Sequence, residues 1–135
     1  MNFQLKVIPV DLISVYWSEM APHIDKALKL AKVSEYNIAD VQQFLESGVW
    51  SAIGFFDEAA KLHGVMTASI ITYPLEKIAF VTAISGKYLT NDHNMQQLRN
   101  ICKSAGCSKL QAFSRESVAR LWKRIGFRNR AILVE

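Results

Sequence analysis

Three side chains in or next to the predicted strand meander are candidates to take a proton from a substrate: His63, Glu76 and His93. His63 precedes a glycine in a predicted turn, and Glu76 lies in the short turn PLE. His93 lies at the predicted start of a helix, where the helix dipole lowers the pKa of imidazole and favours its neutral form. Because neutral imidazole is the form that acts as a general base, His93 is the preferred candidate.

The stretch SGKYLTNDHN, which contains His93, carries further polar groups ahead of that helix. Gly86 and Lys87 suit an anion, because glycine lets the backbone approach closely and lysine supplies a positive charge. Thr90 or Asn91 could act as the N-cap residue of the helix. Tyr88 is the second candidate catalytic residue in this stretch. Two interpretations of this stretch stay open: an anion site with catalytic groups beside it, or an ordinary capped helix start.

Several other chemistries lack their motifs. The sequence contains no Gly-x-Ser-x-Gly elbow, no His-Glu-x-x-His pair and no phosphate-binding loop ending in Gly-Lys-Ser/Thr. Its two cysteines, Cys102 and Cys107, are too few for a closed zinc site, and we expect them to be free thiols. No metal site is predicted.

The net charge of +4 is unevenly distributed along the chain. Residues 1–98 carry a net −3, whereas residues 99–135 carry a net +7. A basic final third can attract the phosphates of a cofactor, nucleic acid or an acidic partner, and it can also be a solvated surface. Nucleic-acid binding is a weak hypothesis because no groove-reading motif is present. It would use six basic residues: Arg115, Arg120, Lys123, Arg124, Arg128 and Arg130.

The 135 residues are predicted to form a single domain, residues 1–135, and half of them are hydrophobic. Residues 4–10 alternate as an opening strand. Asp11 is a good N-cap for a helix from Leu12, which is predicted to pause near Ala21. Pro22 then suits the first turn of a second helix. No apolar run approaches the roughly 20 residues that span a membrane, and the N-terminus lacks the apolar block of a signal peptide.

A third helix is predicted between Asn37, its N-cap, and Gly48, just past its end. The residues that follow are rich in β-branched and aromatic types, with hairpin-sized turns between them. This pattern predicts an antiparallel meander of three strands: 49–56, 64–73 and 77–85.

The last part of the chain alternates helices and strands. The predicted elements are a helix from Asn91 or Asp92 to Ala105, a strand at 108–114, a helix at 116–125 and a last strand at 127–135. The strands on either side of the first of these helices should be parallel, because a right-handed crossover joins them. The sequence therefore predicts an α/β fold with a mixed, mostly antiparallel sheet and helices on both faces.

This order of elements, ending in LWKRIGF at residues 121–127, resembles the GNAT superfamily of N-acetyltransferases. In finer detail it is similar to small GNAT-like proteins of tailed bacteriophages. Those proteins share a helical N-terminal third and four local features. The features are an aromatic-led strand like VWSAIGFFD, a turn like Tyr73-Pro74, a helix end like the AGC of residues 105–107, and a following arginine like Arg115.

The resemblance implies that acetyl-CoA lies in a V-shaped gap between the fourth and fifth strands, here 77–85 and 108–114. The pantetheine arm would pair with the backbone of the fourth strand. The pyrophosphate would lie on unpaired amides at the start of the next helix, where the helix dipole favours an anion. These contacts would involve Val81, Ala83, Ile84, Gly86, Lys87 and Asn91.

The sequence departs from the GNAT pattern at three places. The paired glycines of the phosphate loop are missing, and Asp92 places a negative charge where the phosphate should lie. Glu116 stands at the position of an asparagine that helps to hold the cofactor. Trp122 stands at the position of a tyrosine whose hydroxyl protonates the departing thiolate, and an indole N–H cannot do this. Trp122 could instead pack over the cofactor groove.

Two functions therefore remain open. The first is an acetyl-CoA-dependent N-acetyltransferase, phage-encoded and with a degenerate acetyl-CoA site, which acetylates a small amine or a host protein. The alternative is a non-catalytic component of a phage virion, or a protein that binds a host protein, built on the same scaffold. We expect a protein of the host cytoplasm, or one that is packaged in a virion after synthesis there, with no membrane association. The sequence does not determine the oligomeric state.

Overall fold

A computed structural model gives the fold of the chain and describes residues 2–33, 35–85, 91–113, 122–128, 130, 131 and 134. Its sheet has the strand order β1-β2-β3-β4-β5. The strands are β1 (Gln4–Ile8), β2 (Trp50–Phe56), β3 (Leu62–Thr72), β4 (Lys77–Ile84) and β5 (Lys109–Ala112). The first three neighbouring pairs are antiparallel and the β4–β5 pair is parallel, which confirms the predicted mixed α/β architecture.

Three α-helices that lie wholly within the described residues accompany this sheet. They are α1 (Ile13–Leu30), α2 (Ile38–Glu46) and α3 (Asp92–Ser104), and a 3₁₀ turn at Val10–Leu12 precedes the first. Trp122 and Lys123 are helical as well. None of the helices in the described ranges is long and apolar enough to cross a membrane. Because α3 joins β4 to β5, the crossover predicted from the sequence is confirmed.

The helix α1 corrects two predictions. Asp11 lies inside the 3₁₀ turn and no side chain caps α1, so the predicted Asp11 cap is wrong. The helix also continues through Pro22, where a pause was predicted. Proline lacks the N–H that bonds to the previous turn and costs helix stability. The fully buried neighbours Met20 and Ile24 pack the helix against the sheet and outweigh this local cost.

The predicted boundaries of α2 and α3 are confirmed. The Asn37 side chain accepts a hydrogen bond from the N–H of Asp40, and the Asp40 carboxylate accepts one from the N–H of Asn37, each at 3.0 Å. This reciprocal pair satisfies two amides that the helix start leaves unpaired. Gly48 and Gly106 follow the helix ends with φ of +80°, a conformation that glycine adopts without strain.

The core lies on both faces of the sheet. Residues of α1 and α2 form one apolar cluster with Ile8, Ala52, Phe56, Val65 and Ala83. Residues of α3 form the other cluster, on the opposite face, with Phe55, Met66, Val81, Trp122 and Ile125. Helices on both faces are therefore confirmed.

Side chains of α3 cover the outer edge of β1. Asn94, which is fully buried, accepts a hydrogen bond from the N–H of Phe3 at 2.9 Å. Gln97 accepts from the N–H of Leu5 at 3.0 Å and donates to the carbonyl of Phe3 at 2.6 Å. These bonds satisfy backbone groups that an edge strand leaves unpaired, and they fix α3 against the sheet.

The C-terminal predictions are only partly described. The strand predicted at 108–114 is shorter, because it ends at Ala112. Most of the helix predicted at 116–125 lies outside the described residues. Within the described residues from Trp122 onward none belongs to a strand, and the strand predicted at 127–135 falls partly outside them.

Candidate active site

The strands β4 and β5 pair over four residues, as far as Val81 and Ala112. β4 then continues to Ile84, whereas β5 ends. Over residues 82–84 the edge of β4 that faces β5 has no strand neighbour within the described chain. Free N–H and C=O groups on such an edge can pair with an extended ligand. The opening lies where the resemblance placed the gap between the fourth and fifth strands.

A β-bulge lies in β4 at this opening. Thr67 of β3 lies opposite Ala83, and Ala68 lies opposite Val81, so Thr82 is one extra residue in β4. A bulge of this kind bends the strand and redirects its side chains. The irregular part of β4 therefore coincides with its unpaired edge.

Hydroxyl groups hold the bulge in place. The Tyr36 hydroxyl, from the segment between α1 and α2, donates to the carbonyl of Thr82 at 2.8 Å. The hydroxyls of Thr67 and Thr82 lie 2.7 Å apart, and Thr67 is fully buried. Burial, and then the charge of Glu35, raise the pKa of Tyr36, so its hydroxyl is protonated and able to donate at neutral pH.

A small pocket of about 80 Å³ lies at this opening. Its walls come from the end of α1, from β4, from the end of β5 and from Trp122, and they are mostly apolar. The lining residues are Ala27, Leu28, Ala31, Val33, Val81, Thr82, Ala83, Ile84, Ala112, Phe113 and Trp122. An apolar pocket beside a free strand edge is suited to a slender, extended ligand with alternating apolar and amide groups.

The structure brings together four of the residues predicted to contact a cofactor. Val81, Ala83, Ile84 and Trp122 all line the pocket, although Trp122 is distant from the other three in sequence. Their proposed contact with acetyl-CoA stays a prediction. Trp122 forms part of the pocket wall, and its packing over a bound cofactor stays a prediction as well.

Contacts around a tight turn fix the position of Trp122. Its carbonyl accepts hydrogen bonds from the N–H groups of Ile125 at 3.0 Å and of Phe127 at 3.2 Å. Arg99 of α3 donates to the carbonyl of Ile125 at 2.8 Å. Gly126 has a φ of +104°, which L side chains rarely adopt, so a glycine is needed at this position of the turn. The Trp122 indole is 7% exposed.

The start of α3 gives a mixed result. The Asn91 side chain accepts a hydrogen bond from the N–H of Asn94 at 2.7 Å, so Asn91 caps the helix as predicted. His93 is exposed on the first turn and does not line the pocket. Its role as a base stays a prediction. Gly86, Lys87 and Tyr88 lie outside the described residues.

The other two base candidates are engaged in pairs elsewhere. His63 lies 2.7 Å from a carboxylate oxygen of Asp57, and this hydrogen bond is the main cause of the lowered pKa of Asp57. Glu76 accepts a charged hydrogen bond from Lys109 at 3.0 Å. Neither His63 nor Glu76 lines the pocket.

The two cysteines are free thiols. Cys107 is buried. Burial is the main cause that raises the pKa of Cys102, and the neighbouring Cys107 adds to it. The thiolate form of Cys102 is therefore less populated at neutral pH. Among the residues that the structure describes, no group of three or more His, Cys, Asp or Glu side chains is placed to hold a metal ion.

Sequence reasoning missed Tyr36, Thr67 and Thr82. Tyr36 lies in a short connection between two helices, and no periodic pattern marks it. The two threonines lie in apolar strand segments, where threonine is common for packing reasons alone. A bulge has no reliable sequence signature, so the convergence of these hydroxyls becomes evident only when the register of β3 and β4 is known.

Several solved structures that superpose on this chain carry the name acetyltransferase. An aminoglycoside acetyltransferase from an uncultured soil metagenomic sample, in complex with sisomicin, superposes with a TM-score of 0.69 at 7% identity, covering 98% of this chain and 93% of that one. Glucosamine-6-phosphate N-acetyltransferase from Arabidopsis thaliana gives 0.61 at 13% identity, covering 100% and 97%. A predicted acetyltransferase from Clostridium acetobutylicum, with acetyl-CoA, gives 0.61 at 13% identity, covering 98% and 94%.

These likenesses show the fold. The chain has the GNAT-like α/β fold that the order of its elements predicted, over nearly its whole length. No protein-family model matches the sequence, and no curated protein matches it. At identities of 7 to 13% the comparisons do not extend to activity or substrate.

Proposed function

We propose that this protein is an acetyl-CoA-dependent N-acetyltransferase that acetylates a primary amine. One observation carries the proposal: an unpaired strand edge, a β-bulge and an apolar pocket lie together where β4 and β5 part. The likeness of the whole chain to solved acetyltransferases supports it.

The residues present fit the thioester end of acetyl-CoA. The Thr82 carbonyl already accepts from Tyr36, so the two amides of the pantetheine arm would pair with other backbone groups along the open edge of β4. Val81, Ala83, Ile84 and Trp122 offer apolar contacts around it. At the phosphate end Asn91 is already used as a helix cap, so Gly86 and Lys87 are the anion contacts that we propose.

Acetyl-CoA would supply an acetyl group activated as a thioester. In that reaction the amine nitrogen would bond to the acetyl carbon as the carbon–sulfur bond breaks, and the proton lost by the amine would balance the proton gained by the thiol. The contribution of this chain is mainly positioning, which can supply a large part of catalysis. Tyr36 fixes the bulge carbonyl, while Trp122 contributes packing, because its indole donates hydrogen bonds but does not release a proton at neutral pH.

The finer hypothesis, a phage-encoded protein with a degenerate site, rests on the sequence resemblance and on the departures at Glu116 and Trp122. Two described features favour a degenerate site: the burial of Trp122 at the tyrosine position, and the use of the Asn91 side chain beside the charged Asp92 at the start of α3. The alternative, a non-catalytic virion or host-binding protein, shares the scaffold and differs in one measurable property. Such a protein would not need to bind acetyl-CoA.

The deciding experiment is isothermal titration of acetyl-CoA into the protein, with CoA as a control ligand. The proposal expects binding in the micromolar range, together with amine-dependent release of free thiol in the presence of acetyl-CoA. Absence of binding at millimolar ligand would overturn the proposal and favour the non-catalytic alternative.

A matched pair of variants tests whether acetyl-CoA binds in the pocket. Ala31 and Ala105 are both exposed C-cap residues, of α1 and α3, with nearly identical backbone angles. Only Ala31 lines the pocket. Ala31→Trp should therefore fill the pocket and weaken acetyl-CoA binding by roughly 10-fold or more, while Ala105→Trp leaves it unchanged. Equal affinities of the two variants would place any binding elsewhere.

A further inference from the structure

Two threonine hydroxyls meet at the β-bulge beside the pocket. The hydroxyl oxygens of Thr67 and Thr82 lie 2.7 Å apart, which is a hydrogen-bond distance. Thr67 lies opposite Ala83, a member of the α1–α2 cluster, so the two hydroxyls meet on that face of the sheet. The pocket wall supplied by Ala27 and Leu28 of α1 is on the same face, and Thr82 itself lines the pocket.

The burial of Thr67 sets the direction of the bond between the two hydroxyls. A hydroxyl carries one hydrogen to donate and can also accept hydrogen bonds. Thr67 is fully buried, so water does not reach its hydroxyl. Within the described part of the chain the side chain of Thr67 has one hydrogen-bond partner, the Thr82 hydroxyl. Because an unpaired buried donor is costly, Thr67 donates and Thr82 accepts.

The Thr82 hydroxyl keeps its own proton for a different acceptor. Thr82 is half-buried and lines the pocket, so a molecule in the pocket can accept that proton in a hydrogen bond. The carbonyl of the same residue accepts from the Tyr36 hydroxyl at 2.8 Å. Thr82 is thus held at its side chain and at its backbone, which positions the donor before a ligand binds.

The pocket offers little other polar chemistry. Among the described residues that line it, Thr82 and Trp122 are the two whose side chains carry a hydrogen-bond donor. The remaining lining side chains are apolar, and a hydrogen bond is stronger in surroundings of low polarity. A threonine hydroxyl does not release its proton at neutral pH. It acts by stabilising negative charge at the atom to which it donates.

We propose that the Thr82 hydroxyl donates a hydrogen bond to the carbonyl oxygen of the acetyl group and stabilises the negative charge that develops there during transfer. When an amine adds to the acetyl carbon of a thioester, an electron pair of the carbonyl bond moves onto the oxygen, and it returns as the carbon–sulfur bond breaks. Thr82 keeps its proton throughout, so the proton balance is unchanged. Thr67 is the positioning residue. This inference rests on the proposed acetyltransferase function and adds a catalytic residue to it.

The first test is steady-state kinetics at saturating amine. Thr82→Val keeps the shape of the side chain and should lower kcat by roughly 100-fold, with KM for acetyl-CoA changed less than about 3-fold. Thr82→Ser keeps the hydroxyl and should stay within about 5-fold of the unchanged kcat. Thr72→Val, at an exposed threonine of β3, is the matched control and should not change kcat. An unchanged kcat in Thr82→Val, or a Thr82→Ser variant equally slow, would overturn the proposal.

A double variant separates catalysis from stability. Thr82→Val alone leaves the buried Thr67 hydroxyl without its acceptor. Replacing both hydroxyls by methyl groups in Thr67→Val/Thr82→Val removes both partners, which is close to neutral for stability. The double variant should unfold in urea at the same concentration as the unchanged protein and still lose roughly 100-fold in kcat. A stable double variant with the kcat of the unchanged protein would overturn the proposal.

The second test detects the hydrogen bond without turnover. Acetyl-CoA with an isotope label at its carbonyl carbon is bound without amine, and the carbonyl stretch is recorded by difference infrared spectroscopy. A hydrogen bond lowers this frequency, so the frequency should be higher in Thr82→Val than in the unchanged protein or in Thr72→Val. Equal frequencies would overturn this inference and leave the acetyltransferase function standing. A frequency that depends on Thr82, without turnover by the unchanged protein, would overturn the function and support the hydrogen bond. Absence of acetyl-CoA binding would overturn both.

Discussion

Replacing Tyr36 by phenylalanine removes one hydroxyl and leaves the ring in place. The hydroxyl donates to the Thr82 carbonyl at 2.8 Å, and the ring keeps its contact with Trp50. Thr82 is half-buried, so water can replace only part of the lost bond. We therefore expect Tyr36→Phe to lower the free energy of unfolding by about 1 kcal/mol. In a chain of this size such a loss corresponds to a drop in Tm of roughly 4 °C.

The assay is urea denaturation, with Tyr16→Phe as the control. Tyr16 is also half-buried and packs edge-on against Phe56, but no hydrogen bond of its hydroxyl is found within the described chain. Its replacement should change the free energy of unfolding by less than about 0.5 kcal/mol. A Tyr36→Phe protein as stable as the unchanged protein, or the same loss in both variants, would refute the assignment of Tyr36 as the residue that holds the bulge.

The pKa of Tyr36 gives the same prediction a pH dependence. Burial raises this pKa above 10.0, its value in an unfolded chain. A group with a raised pKa adds stability that is fully present below its unfolded pKa and is lost as the pH rises through the folded one. The unchanged protein should therefore lose this increment above about pH 10, and the difference from Tyr36→Phe should shrink there. A difference that does not depend on pH in this range would contradict the link to the hydroxyl.

Two further replacements test the framework around the site by urea denaturation. Asn94→Ala should lower the free energy of unfolding by about 1–3 kcal/mol, because the Phe3 amide loses a buried acceptor. The control is Gln96→Ala, on the exposed side of α3, which should change the free energy of unfolding by less than about 0.5 kcal/mol. Pro22→Ala should raise the free energy of unfolding by about 2 kcal/mol, because alanine restores an N–H inside α1. The control Pro74→Ala, in the β3–β4 turn, should not raise the free energy of unfolding. An unchanged Asn94→Ala or a destabilised Pro22→Ala would contradict these accounts.

Local signals predicted most of the fold because they agree with the tertiary packing. Some residue types mark where a helix or strand begins or ends through backbone chemistry alone. Examples are the capping pair at Asn37, the glycines at positions 48 and 106, and the runs of β-branched residues. Pro22 shows where this fails. Its local preference is to start a helix, yet the burial of Met20 and Ile24 on either side keeps α1 continuous.

The site was less predictable than the fold, for a physical reason. Residues such as Val81 and Ala83 were accessible to prediction because the resemblance assigns the cofactor to backbone positions of one strand. Tyr36 acts through its contact with another element, at Thr82 in β4. Such contacts depend on the register between neighbouring strands. The alternation of apolar and polar residues within one strand does not specify that register where a bulge interrupts it.

The bulge at Thr82 also explains how one short strand can line a pocket from both sides. In a regular strand Val81 and Ala83, two residues apart, would lie on the same face. Here Val81 packs in the α3 cluster and Ala83 in the α1–α2 cluster, on opposite faces of the sheet. The extra residue shifts the alternation by one, so successive side chains of β4 turn to both sides just where β5 ends. Trp122 from one face and the end of α1 from the other can then meet at the same opening, with the bulge carbonyl tied to Tyr36 between them.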